Sequence, residues 1–185
     1  EYSVKQNASE YPDYPSINGA AENACVFHYV TNLKLMKNGD LVLSDCAAEY
    51  HGYTADVTRT VPVNGKFSPE QKIIYELVLA AQDSAIAVCK PGMPYSGSDA
   101  TARRVINRGL IALGIAANDM EARRYFPHGT SHHLGLDVHD LGIRGNMPFE
   151  PGMYLTVEPG IYIPPGSKCD PKWWSIGVRI EDDIL

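Results

Sequence analysis

No apolar run in this chain approaches the roughly 18 residues of a membrane-spanning helix, and no basic-then-apolar leader opens it. A membrane is therefore not an expected partner. Basic residues are also in short supply. Lys and Arg together number 16 against 22 Asp and Glu, giving a net charge of −6 with no basic stretch, which argues against nucleic acid. Cysteine is sparse: Cys25, Cys46, Cys89 and Cys169 form no CxxC pair and keep no regular spacing. That excludes a disulfide framework or a thiolate metal centre and predicts a reduced, cytoplasmic setting. Cys46 is expected to be a buried neighbour of Asp45, because a soft thiolate suits a hard-oxygen site poorly. What the chain does have is 44% hydrophobic residues over 185 positions, enough for one globular domain that buries roughly 70% of its unfolded surface. It opens on Glu1 and stops at Ile184-Leu185 within a strand-like pattern, so it reads as an excerpt of a longer protein.

Residues 1–24 are turn-rich and show little periodicity. Cys25 to Val30 reads as a strand, and Lys37-Asn38-Gly39-Asp40 as a tight turn. Leu41 to Tyr50 and Tyr53 to Val63 read as two strands joined at His51-Gly52 and closed by Asn64-Gly65. A helix follows, with Ser68 as N-cap, Pro69 in the first turn and Gln71 completing a capping box. Its expected apolar stripe is Ile73, Leu77, Ala81 and Val88, and Pro91-Gly92 ends it. A second helix is expected from about Asp99 to Leu113, capped by Ser98 and stopped by Gly114. Beyond a loop to Pro127 come a histidine-rich segment, a strand from Met153 to Ile163, a Pro/Gly loop at 164–171 and a last strand from Ile176 to Ile184.

One spacing recurs. Gly39 precedes Asp45 by six residues, and Gly152 precedes Glu158 by six, each across an apolar stretch. Each carboxylate is followed by another, Asp56 after 11 residues and Glu181 after 23. Two related halves facing one another across a site are the expected arrangement.

The chemistry lies in these carboxylates and the histidines. Singly, Asp45 reads as a turn cap, Asp56 as a solvated residue and Glu181-Asp182-Asp183 as an acidic edge. Glu158 interrupts an apolar run just before Pro159-Gly160, where a charge is costly unless paired or bound to metal. Four of the six histidines fall within twelve residues, His128, His132, His133 and His139. The HExxH helix of zinc proteases is absent, and the intervening glycines favour loop and strand. Asp45, Asp56, His132, Glu158 and Glu181 together form a ligand set of oxygens with a single imidazole, suited to two divalent ions, manganese above zinc or cobalt. Without ions, four converging carboxylates would repel and some would hold protons at neutral pH.

Asp45 to Thr60 with its Asp-Val-Thr-Arg-Thr, the segment His128-Gly-Thr-Ser-His-His-Leu-Gly-Leu-Asp-Val-His-Asp140, Thr156-Val-Glu-Pro-Gly160 and Arg179-Ile-Glu-Asp-Asp183 resemble the pita-bread metallopeptidases. The similarity covers nearly the whole chain and is greatest toward the Xaa-Pro aminopeptidase (aminopeptidase P) branch. It implies an α+β pita-bread fold, with two pseudo-symmetric halves around antiparallel strands, incomplete at both ends, and one catalytic domain over residues 1–185 that lacks its N-terminal neighbour. It implies that Asp56 and Glu181 bridge two metals, that Asp45 completes one shell and His132 with Glu158 the other, and that a bridging hydroxide is the nucleophile. Glu158 would exchange its proton. His28, His128 and His139 match outer-sphere histidines around the proline pocket, and Arg179 an arginine near the far end of the substrate. The implied substrate is a peptide with proline second, and the implied parent protein is a homo-oligomer. Prolidase, which takes Xaa-Pro dipeptides only, remains an alternative, as does a peptide- or histone-binding module without catalysis. His133 stands where the family commonly has a bulky aromatic and, adjacent to His132, is expected to point away from the ligands.

Overall fold

The computed structural model describes residues 11–185. The element order begins β1 (Tyr11–Pro12), β2 (Ile17–Ala20), a 3₁₀ turn (Ala21–Cys25), β3 (Leu41–Asp45), β4 (Ala48–Tyr50), β5 (Tyr53–Thr54) and β6 (Thr58–Pro62). Helices α1 (Pro69–Ile86), α2 (Ser96–Ala112) and the short α3 (Asp119–Ala122) follow, then β7 (Leu155–Val157), β8 (Gly160–Ile163), β9 (Ile176–Arg179) and β10 (Asp182–Ile184).

The paired carboxylates sit in two long, interrupted antiparallel hairpins. In the first, Asp45 pairs with Thr58 and Glu49 with Thr54, four residues further along each strand, so one register runs through the break at Cys46-Ala47. In the second, Val157 pairs with Asp182 and Gly160 with Arg179, three residues on, so the register passes through Glu158 and Glu181. The uninterrupted strands expected at 41–50, 53–63, 153–163 and 176–184 are thus each split in two, and the splits fall at the carboxylates. The strand bends where its side chains must converge. Gly39 and Gly152 both take left-handed backbone (φ +91° and +87°) at the entrances to β3 and β7, so the repeated six-residue spacing corresponds to repeated geometry. At the tip of the first hairpin His51 and Gly52 both have positive φ, as the favoured two-residue hairpin turn requires.

The hairpins are stitched by the Thr58-Arg59-Thr60 strand. Thr60 exchanges hydrogen bonds with the Arg179 backbone, the Glu181 amide donates to the Thr58 carbonyl (3.1 Å), and Arg59 donates to the Glu181 carbonyl (2.6 Å) and pairs with Asp182. Gln82, buried on α1, ties the helix to this seam through the Val157 carbonyl (3.2 Å) and Asp182 (3.1 Å).

The capping box forms as expected, with the Ser68 hydroxyl accepting from the Gln71 amide and the Gln71 side chain from the Ser68 amide. The buried face of α1 is, however, Ile74, Val78, Ala81, Gln82 and Ala85. Ile73 is 40% exposed, and Leu77 packs against Gly109 of α2, where a methyl group would meet its Cδ atoms at 2.5 Å. The second helix begins earlier than expected. Ser98 is a buried first-turn residue whose hydroxyl donates to the Tyr95 carbonyl, and the N-cap is Tyr95, without a side-chain cap. The C-terminal stop holds, with Gly114 at φ +69°.

Cys25 to Val30 is not a strand. The 3₁₀ turn occupies its start, and residues 26–36 run as an irregular segment with Val26, Val30, Leu33 and Leu35 exposed. The place beside β3 is taken instead by β2, whose Gly19 permits backbone approach: an added Cβ would fall 2.6 Å from the Asn23 carbonyl oxygen. Cys46 is exposed rather than buried, because Asp45 faces inward and its strand neighbour points the other way. All four cysteines are free, and among the described residues no helix is long and apolar enough to cross a membrane.

Candidate metal centre

One cavity of about 500 Å³ lies where the hairpins meet the histidine-rich segment. Every residue singled out from the sequence lines it: His28, Asp45, Asp56, His128, His132, His139, Glu158, Arg179 and Glu181. The tightest group is Asp56, His132 and Glu181, whose ligand atoms lie within 4.8 Å of one another. Glu158 joins them through Oε1, 3.4 Å from His132 Nε2, and Asp56 Oδ2 stands at the same 3.4 Å from that nitrogen. Asp45 is close by but turned toward Arg179 and Tyr14. The Tyr14 hydroxyl lies within reach of both Asp45 and Asp56 (2.5 Å to Asp56 Oδ1).

Histidine tautomers follow from the partners. The Nδ1 of His132 faces the His133 carbonyl at 3.2 Å, which can only accept, so Nδ1 carries a proton; Nε2 faces Asp56 and Glu158, whose charge favours a second proton there until a cation takes its place. That is the arrangement metal-binding imidazoles adopt. In His128, Nδ1–H donates to the Gly129 carbonyl (2.8 Å), and Nε2 accepts from the Tyr162 hydroxyl (2.7 Å). Burial, with Arg179 and Arg103 nearby, lowers the His128 pKa to about 4, so it is a neutral ring locked at both nitrogens.

Electrostatics show what this geometry costs without cations. Burial pushes the Glu158 carboxyl up to about 7, reinforced by Asp56 and Asp45 and opposed by His132 and Arg179. Burial and the other three carboxylates raise Glu181 well above the ordinary range. Asp45 is raised by burial against the pull of Arg179, whereas Asp56 is held low despite burial by His132 and Tyr14. Glu181 Oε2 accepts from the Thr58 hydroxyl (2.6 Å), yet its Oε1 is buried with no hydrogen-bond partner. An orphaned carboxylate oxygen facing three more carboxylates is the environment a dication would relieve. The donors are oxygens with one imidazole, so the residues fit a pair of hard divalent ions.

Arg179 is 3% exposed and donates to Thr58 Oγ1 (3.0 Å), the Tyr162 hydroxyl (3.0 Å), the Phe27 carbonyl (3.5 Å) and Asp45. Its guanidinium anchors the Asp45 carboxylate at the wall of the cavity. His139 reaches the site because the chain folds back after Gly135: its ring lies 4.4 Å from that of His132, edge to face. His28 stands on the exposed 26–36 segment, at the mouth.

Tyr14, Thr58, Tyr162 and Asp183 were not legible as site residues. Asp183 Oδ2 accepts from the Asp56 amide (3.1 Å) and the Tyr154 hydroxyl (2.9 Å), fixing the backbone of Asp56. Tyr14 lies in a turn-rich stretch with no pattern to mark it. Only the hydroxyls of Thr58 and Thr60, facing inward at every second strand position, carried a signal.

The chain matches the model of metallopeptidase family M24 over residues 1–185. It is 42% identical to the Xaa-Pro aminopeptidase of Escherichia coli K12 across its whole length, covering 44% of that protein, and 39% identical to human Xaa-Pro aminopeptidase 3, covering 38%. Among solved structures, proline aminopeptidase P II from Yersinia pestis (43% identity) and E. coli aminopeptidase P with the inhibitor Pro-Leu (42%) superpose on 99% of this chain, each with a TM-score of 0.94. In both cases 44% of the larger chain is covered, so the chain spans less than half the length of these relatives. The split hairpins and flanking helices are therefore the pita-bread fold of aminopeptidase P, and the chain belongs to metallopeptidase family M24.

Proposed function

We propose that this chain is catalytic-domain sequence from a manganese-dependent Xaa-Pro aminopeptidase, removing the first residue of peptides that carry proline second. The observation that carries the reading is the convergence of Asp45, Asp56, His132, Glu158 and Glu181 on one cavity, with a buried Glu181 oxygen left unpartnered. Asp56 and Glu181 would hold both ions, Asp45 one, and His132 with Glu158 the other. Two divalent ions there supply Lewis acidity and lower the pKa of bound water toward neutrality.

The remaining chemistry belongs to the side chains. Glu158 takes a proton from the attacking water and returns it to the departing amine, as a carboxylate placed at the reacting atoms can. Arg179 and Tyr14 keep Asp45 in place, and Asp183 keeps Asp56. His139, exposed above His132, and His28 across the mouth are free to donate toward charge developing on the substrate. His128 is already bonded at both nitrogens, so it shapes the pocket wall as a neutral ring. Proline in the second position is supported by the names of the relatives and by the Pro-Leu inhibitor of one of them. A cytoplasmic parent protein is consistent with four free cysteines, and a homo-oligomer remains part of the proposal.

The test uses the full-length protein after chelation and reloading with manganese. It should release alanine from Ala-Pro-Ala, act much more slowly on Ala-Pro, and lose activity with chelator. Faster turnover of Ala-Pro would make it a dipeptidase, and metal-independent or absent turnover would remove the reading.

A further inference from the structure

The segment between Leu134 and Ile143 is exposed over much of its length, with Leu141 94% accessible, yet it delivers His139 to the cavity. Its shape is set by two internal devices. Asp140 closes the first: its Oδ2 accepts from the Leu136 amide (3.1 Å), its Oδ1 from the Leu141 amide (2.7 Å), and its own amide donates to the His133 carbonyl (3.0 Å). Gly135 lies against that carboxylate so closely that an added Cβ would fall 1.9 Å from Oδ2. His133 closes the second. Its ring stacks on Tyr95, with centroids 5.3 Å apart and planes 13° from parallel. Its Nε2 lies 3.2 Å from the Ile143 carbonyl, which fixes the proton on that nitrogen and makes it the donor. On the same ring rests Gly142, where an added Cβ would sit 2.1 Å from Cδ2. Tyr95 is anchored in turn, its hydroxyl donating to the Ser131 carbonyl (2.8 Å).

We infer that His133 is a positioning residue: stacked on Tyr95 and packed under Gly142, it latches the 134–143 segment so that His139 faces the metal centre. The inference rests on the peptidase reading for its catalytic consequence, but not for the latch itself. The ring stack and the Gly142 contact do most of the holding, and the bond to Ile143 sets the ring's rotation. His132 and His133 are chain neighbours whose side chains serve different partners.

The experiment uses the full-length, manganese-loaded enzyme. His133→Ala should lower kcat on Ala-Pro-Ala by on the order of 10- to 100-fold while leaving bound manganese unchanged, since small misplacement of an acting group suffices for such losses. Hydrogen exchange at the Leu136, Asp140 and Leu141 amides should quicken. His133→Phe, which keeps the stacked ring, should recover most of the loss, and Gly142→Ala should reproduce it from the opposite side. In a His139→Ala background, His133→Ala should cost nothing further, as expected for residues that act as a unit. Additive losses in the double variant, lost manganese in His133→Ala, or unchanged exchange in both His133→Ala and Gly142→Ala would each overturn the latch. An inactive wild-type enzyme would overturn the peptidase reading alone, because exchange is read without turnover.

Discussion

Glu158→Gln should stabilise the metal-free protein at neutral pH even as it weakens metal binding. In the absence of ions, burial holds the Glu158 carboxyl at about 7, against an ordinary value of 4.5. Between those values the folded state binds a proton that the unfolded state releases. Stability contributed by this group is therefore complete below pH 4.5 and is lost as pH rises through 7. A shift of that size corresponds to a penalty on the order of 3 kcal/mol for the ionised, metal-free site. Glutamine keeps the shape and removes the charge. Urea denaturation with chelator should find the two proteins similar at pH 5, with Glu158→Gln ahead by about 3 kcal/mol at pH 8. Saturating manganese should reverse the order, because an ion at about 1,000 times its Kd adds about 4 kcal/mol to the protein that binds it. If the wild type kept its standing against Glu158→Gln from pH 5 to pH 8 without metal, the crowding of carboxylates would not strain the metal-free fold.

Other expectations follow from particular contacts. His132→Ala should lose both manganese and turnover, whereas His139→Ala should keep manganese and lose on the order of 100-fold in kcat, measured by metal analysis beside steady-state kinetics. Arg179→Met should destabilise the metal-free fold by about 3–5 kcal/mol in urea, because it leaves Asp45 buried beside Asp56 without its cation. Gly177→Ala should cost about 1–3 kcal/mol, since its methyl would lie 2.3 Å from the Ala24 carbonyl oxygen where β9 crosses the 3₁₀ turn, and thermal melts will read it. Ser68→Ala should cost about 1 kcal/mol through loss of the capping box, with no change in bound metal.

The site was more legible than the surfaces that support it. Clustered histidines and a glutamate that breaks an apolar run are local anomalies, so His132 and Glu158 stand out before any fold is known; Asp45, Asp56 and Glu181 read singly as ordinary carboxylates and gain meaning only as a set and through the family resemblance. The register through Glu158 and Glu181 was not readable, because a strand that bends at its ligands has the same composition as one that does not. On α1, Ile73 and Ile74 are adjacent and begin two overlapping helical stripes; only the position of the sheet beneath decides that Ile74 and Val78 are inside. The apolar letters of Cys25 to Val30 suggest a strand, but β2 and β6 flank β3 on its two sides. Arg179 was legible as important, but sequence gives its neighbours in the chain and not its partners Asp45 and Tyr162 across the fold. Tyr14 carries no sequence signal, being one tyrosine among 11.

The central claim concerns what Asp45, Asp56, His132, Glu158 and Glu181 hold between them. Anomalous diffraction at the manganese edge, from crystals of the full-length protein loaded to full activity, addresses it directly. Two peaks roughly 3.5 Å apart, with Asp56 and Glu181 touching both, are the expected result. Full activity with a single ion, or ions bound away from these five side chains, would contradict it.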